Sequence, residues 1–156
     1  VIKRAAEDNS FKLLFGTGER NYKEVTAQLE KENIRTGRDI EVVPYIDNMA
    51  EVMAAADLVV SRSGAITVSE IAALGKASVL IPSPNVVRNH QEQNAREFEK
   101  NNAASLIVES ELTSDALYNK ITELISNKEK MHQMEQNVKK LGKRDALDKI
   151  YELIRG

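Results

Sequence analysis

The chain has 156 residues, the length of one domain or of a piece of a larger protein, and its hydrophobic fraction of 42% is enough for a buried core. A net charge of −2 gives no electrostatic basis for binding nucleic acid. The absence of cysteine excludes disulfides and thiolate catalysis and is compatible with a reducing compartment. No apolar run approaches the roughly 20 residues that a membrane-spanning helix needs, and no signal peptide is visible.

Helical and extended patterns alternate along the chain. Helical patterns cover residues 1–6, 21–33, 47–55, 66–74 and 90–100, and strand patterns cover 11–15, 40–45, 57–61, 77–81 and 104–108. Three amphipathic helices are then predicted over residues 113–126, 129–141 and 145–154. Asp47, Thr113 and Asp145 are predicted N-caps, and Gly75 is expected to end the helix before it.

This alternation predicts an α/β fold. Strands that are apolar on both faces and separated by single helices form a parallel sheet covered by helices on both sides, here followed by a helical C-terminus. Ligands bind beyond the carboxyl ends of such strands. The turns at residues 16–18, 45–47, 61–65 and 82–94 all follow strands, so we expect them to share one rim.

The turn at residues 61–65 is the most informative part of the chain. Gly64 and Ala65 lie between a strand and a helix, where bare N–H groups and the helix dipole favour an anion, most often a phosphate. The alternative is a tight turn without a ligand. Arg62 would neutralise phosphate or pair with a local acid, and the residue pattern does not choose between these roles.

Glu70 has two interpretations. It lies one turn inside the helix, where a carboxylate can accept hydrogen bonds from sugar hydroxyls. The spacing Thr67-x-x-Glu70 also fits a capping box, in which the glutamate reaches back to the helix N-cap. Ser63 and Thr67 are candidate phosphate donors or hydroxyl caps, and capping is the favoured interpretation.

Two further pairs are predicted to lie on the same rim. A flat base could rest against Tyr45 and Ile46, although the end of a strand also contributes to a core. Gln91 offers donors and acceptors for sugar hydroxyls, and His90 can donate a proton or act as a base. The alternative for this second pair is a solvated start of a helix. His132, in a charged helix, is assigned to the surface.

The sequence lacks the residues that metal sites and several other kinds of functional site require. The sequence has no Asp-x-Asp, no Cys/His cluster and no P-loop, so neither a metal nor another cofactor is expected. Residues 128–140 fit a solvated amphipathic helix better than a membrane-surface element, because acidic residues interrupt the basic face.

Four segments closely resemble the MurG family of bacterial N-acetylglucosaminyltransferases. They read PYIDNM at residues 44–49, ADLVVSRSGAITVSEI at 56–71, GKASVLIP at 75–82 and NHQEQNA at 89–95. The resemblance covers nearly the whole chain and implies the Rossmann-like, C-terminal half of a GT-B glycosyltransferase, with residues 1–156 as a domain that binds a UDP-sugar donor. The family transfers GlcNAc from UDP-GlcNAc to the C4 hydroxyl of MurNAc in lipid I, with inversion, to make lipid II for peptidoglycan.

The resemblance also implies roles for individual residues. Ile46 should pair with uracil through its main chain with Tyr45 nearby, and Glu70 should bind the ribose hydroxyls. Gly64 and Ala65 should approach the diphosphate or the sugar.

The remaining matches concern the sugar end of the donor. His90 and Gln91 should meet GlcNAc hydroxyls, where some family members have Gln-Gln. Arg62, Ser63 and Thr67 match the motif without a defined role. The full protein should lie peripherally on the cytoplasmic face of the bacterial cell membrane.

Two departures from the family imply a fragment. Its first strand in this domain, with the Gly-Gly-Ser phosphate loop, and its N-terminal acceptor domain have no counterpart here, and Val1 reads as the middle of a helix. The absent strand should leave a gap in the sheet, and the absent domain should hold the general base, so this chain has no predicted catalytic residue. Alternatives are a GT-B relative with another UDP-sugar or lipid acceptor, and a binding subunit that needs a partner chain.

Overall fold

The computed structural model describes residues 1–37, 39–84 and 89–155. Strands and helices alternate in the predicted order, and the chain then becomes helical. The strands are β1 Leu13–Gly16, β2 Ile40–Val43, β3 Val59–Ser61, β4 Ser78–Leu80 and β5 Ser105–Leu106. The helices are α1 Ile2–Asp8, α2 Glu19–Lys31, α3 Met49–Ala55, α4 Ala65–Leu74, α5 His90–Lys100, α6 Ser114–Ser126 and α7 Lys128–Arg155, with a 3₁₀ turn at Glu109–Glu111 between β5 and α6.

All of these strands pair in parallel, so the predicted α/β architecture is confirmed. β1 pairs with β2, with Leu13 opposite Ile40, and β4 lies between β3 and β5, with Val59 opposite Ser78. Within the described ranges the strands form two separate groups rather than one continuous sheet. The polar edge groups of β1 and β3 face no strand of the other group.

The two groups border a common cavity of about 420 Å³. Leu14 and Phe15 of β1 and Val60 of β3 line it, and they are 36%, 37% and 39% exposed, although strands of a parallel sheet are normally covered. Within the described ranges, β1 and β3 thus border an apolar cavity and do not pair with each other.

β4 is the most buried strand of the larger group. Side chains alternate across a strand, so Leu80 packs with Ile71, Phe98 and Val138 on one face, while Val79 packs on the other face in a second cluster. All three residues of β4 have no exposed surface. The apolar run at residues 79–81 thus packs into both hydrophobic clusters, which is why it does not alternate with polar residues.

The C-terminal helices differ from the prediction at one point. The segments 129–141 and 145–154 form the single helix α7, so the predicted N-cap at Asp145 is wrong. Gly142 lies inside α7 where the helix crosses α4, and a Cβ built there would be 3.1 Å from the carbonyl oxygen of Ala72. Glycine weakens a helix interior, but here it permits close contact between two helices, and this packing outweighs the local propensity.

The predicted caps have mixed outcomes. The Thr113 hydroxyl accepts a hydrogen bond from the Ala116 N–H at 3.0 Å and caps α6, as expected. Gly75 ends α4 with φ of 65°, a left-handed conformation that favours glycine. Asp47 is not a cap, because α3 begins at Met49 and its N-cap is Asn48.

In the part of the chain that the structure describes, no helix is both long and apolar enough to cross a membrane.

The close crossing of α4 and α7 predicts a steric effect at Gly142. Gly142→Val places two methyl groups against the Ala72 backbone and should lower the free energy of unfolding by about 1–3 kcal/mol. The control Lys140→Val, at an exposed position of the same helix, changes helix propensity and one surface charge but no packing contact, and it should cost less. Urea denaturation measures both, and equal losses in the two variants would contradict the crossing.

Candidate functional site

The cavity between β1 and β3 opens at the carboxyl ends of the strands, where the sequence predicted the site. Tyr45 and Ile46, which follow β2, line it together with Thr67 and Glu70 of α4. Tyr45 is 64% exposed, so it is not part of a core. The structure therefore brings four predicted residues from two separate segments to one cavity.

Gly16 leaves room for the side chain of Ile46. A Cβ at Gly16 would lie 3.2 Å from the Ile46 Cδ1, and the next residue along, Thr17, donates its backbone N–H to the Val43 carbonyl at 3.0 Å. The turns after β1 and β2 therefore meet closely, which confirms that these two turns share the rim.

The capping-box hypothesis for Glu70 is wrong. Helix α4 begins at Ala65 with Gly64 as its N-cap, so Thr67 is the third helical residue and cannot be the cap of this helix. Ser63 precedes the cap and does not fill that position either. Glu70 is exposed and borders the cavity, where its carboxylate is available to a ligand.

The turn at Gly64 is open on its outer side. Gly64 has φ of −62° and ψ of 150°, a conformation that any residue adopts, and a Cβ placed on it would meet no atom within 4 Å. The glycine is thus required neither by backbone strain nor by packing. Ala65, the first residue of α4, is exposed. An anion can approach the first N–H groups of the helix here.

A buried polar network holds this turn against α5. Ser63 has no exposed surface, and its hydroxyl donates to the Gln91 carbonyl at 2.7 Å. The Asn94 side-chain amide donates to the Ser63 carbonyl at 3.0 Å. The Gln91 Oε1 accepts the Ser83 N–H at 2.9 Å, and the donors of this side chain are its two amide N–H groups.

Arg62 pairs with a local acid. Its guanidinium donates to both carboxylate oxygens of Glu109, and it also donates to the carbonyls of Ile81 and Pro82, each at 3.3 Å. The Arg62 hydrogen bond lowers the pKa of Glu109. Of the two roles that the sequence left open for Arg62, the geometry favours pairing with an acid.

His90 is the first residue of α5 and is exposed, while Gln91 beside it is half-buried. Residues 85–88 of the predicted turn at 82–94 lie outside the described residues. His132, as predicted, is on the surface, near Glu135. Among the described residues, no group of three or more His, Asp or Glu side chains is arranged to hold a metal ion.

Two contributors to the rim, Asn94 and Glu109, were not among the predicted site residues. Asn94 lies 31 positions from its partner Ser63, and Glu109 lies 47 positions from Arg62. No local spacing signals such pairs, since they form only when the ends of neighbouring strands meet. The NHQEQNA segment, with Asn94 one helical turn after Gln91, was the one available hint.

The assembled rim has two chemically different parts. The cavity is apolar along β1 and β3 and has the hydroxyl of Thr67 and the carboxylate of Glu70 at one end, which suits a flat base joined to a hydroxylated sugar. The start of α4 offers backbone donors and a dipole for an anion. A nucleoside diphosphate combines these chemical features.

Comparisons with known proteins show the family to which the chain belongs. Residues 1–150 match the model of the Glycosyltransferase family 28 C-terminal domain. A UDP-N-acetylglucosamine--N-acetylmuramyl-(pentapeptide) pyrophosphoryl-undecaprenol N-acetylglucosamine transferase of Oenococcus oeni is 48% identical over 97% of this chain. The protein of the same name from Acetivibrio thermocellus is 46% identical over 99% of it. The chain spans only 40% and 41% of the lengths of these two relatives.

Solved structures agree on the fold. A crystal structure of Acinetobacter baumannii MurG matches with a TM-score of 0.71 and 28% identity, over 83% of this chain and 38% of that one. The glycosyltransferase VinC, solved in complex with dTDP, also has a TM-score of 0.71, over 99% of this chain and 36% of its own. Its identity of 17% supports a common fold alone.

The open space at Gly64 predicts a variant that separates folding from binding. Gly64→Ala should change the free energy of unfolding by less than about 1 kcal/mol: the new methyl group meets no protein atom and the unfolded chain loses freedom, which offsets the poorer capping by alanine at this N-cap position. If a nucleoside diphosphate such as UDP binds at this turn, its affinity should fall about ten-fold, because the methyl group would occupy the approach of the diphosphate. Calorimetric titration measures this, and Ser69→Ala, on an exposed part of α4, is the control. Unchanged UDP affinity in Gly64→Ala would exclude an anion at this turn.

Proposed function

Because the chain belongs to the glycosyltransferase family 28 C-terminal domains, we propose that it is the donor-binding half of an N-acetylglucosaminyltransferase and that its donor is UDP-GlcNAc. The observation that carries the proposal is the convergence of Tyr45, Ile46 and Glu70 on one cavity beside the start of α4. In this arrangement uracil lies against Tyr45 and Ile46, and its polar edge is read by the main chain of Ile46.

The carboxylate of Glu70 accepts hydrogen bonds from the ribose hydroxyls. It is exposed, borders the same cavity as Ile46, and lies in the second turn of α4. The diphosphate then lies toward Gly64 and Ala65, where bare N–H groups and the helix dipole stabilise its charge. Ribose and diphosphate are adjacent parts of one nucleotide, and their proposed partners are adjacent parts of one helix.

The GlcNAc is proposed to lie beyond the diphosphate, toward the start of α5. His90 is exposed there, and Gln91 has donors left after its Oε1 has accepted the Ser83 N–H. Hydroxyl oxygens of the sugar can accept from these donors. Ser63 and Asn94 contribute by holding the turn and α5 together rather than by reaching the sugar.

For the full-length protein we propose transfer of GlcNAc to the C4 hydroxyl of MurNAc in lipid I, with inversion, to make lipid II for the cell wall. Such a transfer needs a base for the acceptor hydroxyl and stabilisation of the departing diphosphate. The start of α4 supplies the second without a metal ion. The base and the lipid-binding surface are assigned to the acceptor domain, which would hold the full-length protein peripherally at the cytoplasmic face of the membrane.

Glu70 provides a direct test of the ribose contact. Glu70→Gln should weaken UDP-GlcNAc binding about ten-fold or more, because hydrogen bonds to a charged carboxylate are stronger than those to a neutral amide. For 2′,3′-dideoxy-UDP the same substitution should have little effect, since the hydroxyl partners are gone. Glu24→Gln, at an exposed site of α2, is the control of equal charge. Equal losses for both ligands would show that Glu70 does not contact the ribose.

The choice of donor and the lack of turnover are tested together. The chain should bind UDP-GlcNAc more tightly than UDP-glucose in calorimetric titration, and it should form no lipid II from lipid I. A folded chain without saturable binding would refute the proposed donor site. Preference for UDP-glucose would favour a relative with another donor, and lipid II formation would show that this chain supplies the base.

A further inference from the structure

Arg62 connects the ends of three neighbouring strands. It is the first residue after β3 and directly precedes the Ser63–Gly64 turn. Its Nη1 donates to the carbonyls of Ile81 and Pro82 just after β4, at 3.3 Å each. Both Nη atoms also donate to the carboxylate of Glu109, just after β5. One side chain thus reaches across the rim on which the proposed donor site lies.

Glu109 is the strongest of these partners. Both groups are charged, and Nη1 donates to its Oε2, while Nη2 lies at a longer distance of 3.4 Å from its Oε1, so the pair is joined mainly through one charge-assisted hydrogen bond. The carbonyls are neutral, and 3.3 Å is long for such a hydrogen bond. Without Glu109, Arg62 would keep only the two weaker contacts.

We propose that Glu109 is a positioning residue for the anion site: by holding Arg62 against the ends of β4 and β5, it fixes the Ser63–Gly64 turn at the start of α4. Glu109 acts through Arg62 and touches no part of the ligand. The expected effect of Glu109 on phosphate binding rests on the proposed donor function, whereas its expected effect on the position of the Ser63–Gly64 turn does not.

The alternative is competition: Glu109 pairs with Arg62, to which the diphosphate would otherwise bind. The two arrangements predict opposite signs. If Glu109 positions the turn, removing its charge loosens the turn and weakens phosphate binding. If Glu109 competes, removing its charge releases Arg62 and strengthens phosphate binding.

The pair is half-exposed, with side-chain exposures of 50% for Arg62 and 40% for Glu109, so its loss should hardly change stability. Glu109→Gln is therefore expected to fold. Glu111→Gln is a matched control, because Glu111 is an exposed glutamate of the same 3₁₀ turn and its replacement changes the net charge equally.

The first readout needs no ligand. In the 156-residue chain, the amide NMR signals of Gly64 and Ala65 should shift in Glu109→Gln, and their hydrogen exchange should become faster, while Glu111→Gln leaves both unchanged. Unchanged signals in Glu109→Gln would overturn the proposal. Because this readout is independent of donor binding, a chain that binds no UDP would refute the proposed function and leave the positioning role of Glu109 to be decided by the amide signals.

The second readout is affinity for UDP and for uridine, which lacks the phosphates. Glu109→Gln should weaken UDP binding about three- to five-fold, in line with a half-exposed ion pair, and leave uridine binding within about two-fold. Tighter UDP binding would establish competition and overturn the proposal, and equal losses for both ligands would also contradict it.

In an Arg62→Gln background, Glu109→Gln should have no further effect on UDP affinity. An additive loss would show that Glu109 does not act through Arg62 and would contradict the proposal.

Discussion

Within each group of strands the pairing is parallel, so the loops that follow the strands of one group lie at one edge of that group. The turns after β1, β2 and β3 meet around one cavity. Tyr45 and Glu70, which are 25 positions apart in the sequence, are neighbours because both line this cavity. A single antiparallel strand in either group would have sent its following loop to the opposite edge.

The division of the strands into two groups has an energetic consequence. β1 and β3 leave backbone hydrogen-bonding groups along an apolar cavity, and Leu14, Phe15 and Val60 keep more than a third of their surface exposed. Burying such side chains contributes roughly 25 cal/mol per Å² of apolar surface, so this side of the sheet contributes less than it would if covered. The larger group does not depend on it, because β4 is covered on both faces by the clusters around Leu80 and Val79.

The start of α4 is fixed from two directions and left open on a third. Ser63 and Asn94 bind the turn to α5 through hydrogen bonds, and Arg62 binds its other side to the ends of β4 and β5. Above Gly64 there is only open space. An anion site needs donors that are held rigidly before the ligand arrives, since ordering them on binding would reduce the affinity.

The sequence by itself determined the alternation of strands and helices, the parallel sheet and the edge at which the site would lie. These follow from local apolar periodicity, turn residues and the rule that parallel strands share a carboxyl edge, and the motif resemblance identified the family. The tertiary structure decided what depends on distant partners. Gly142 continues α7 because Ala72 of α4 lies against it, Arg62 meets a glutamate 47 residues away, and Glu70 is left free because α4 begins at Ala65 rather than after Thr67. Local spacing cannot encode these outcomes, because each is set by packing between segments that approach one another only in the folded chain.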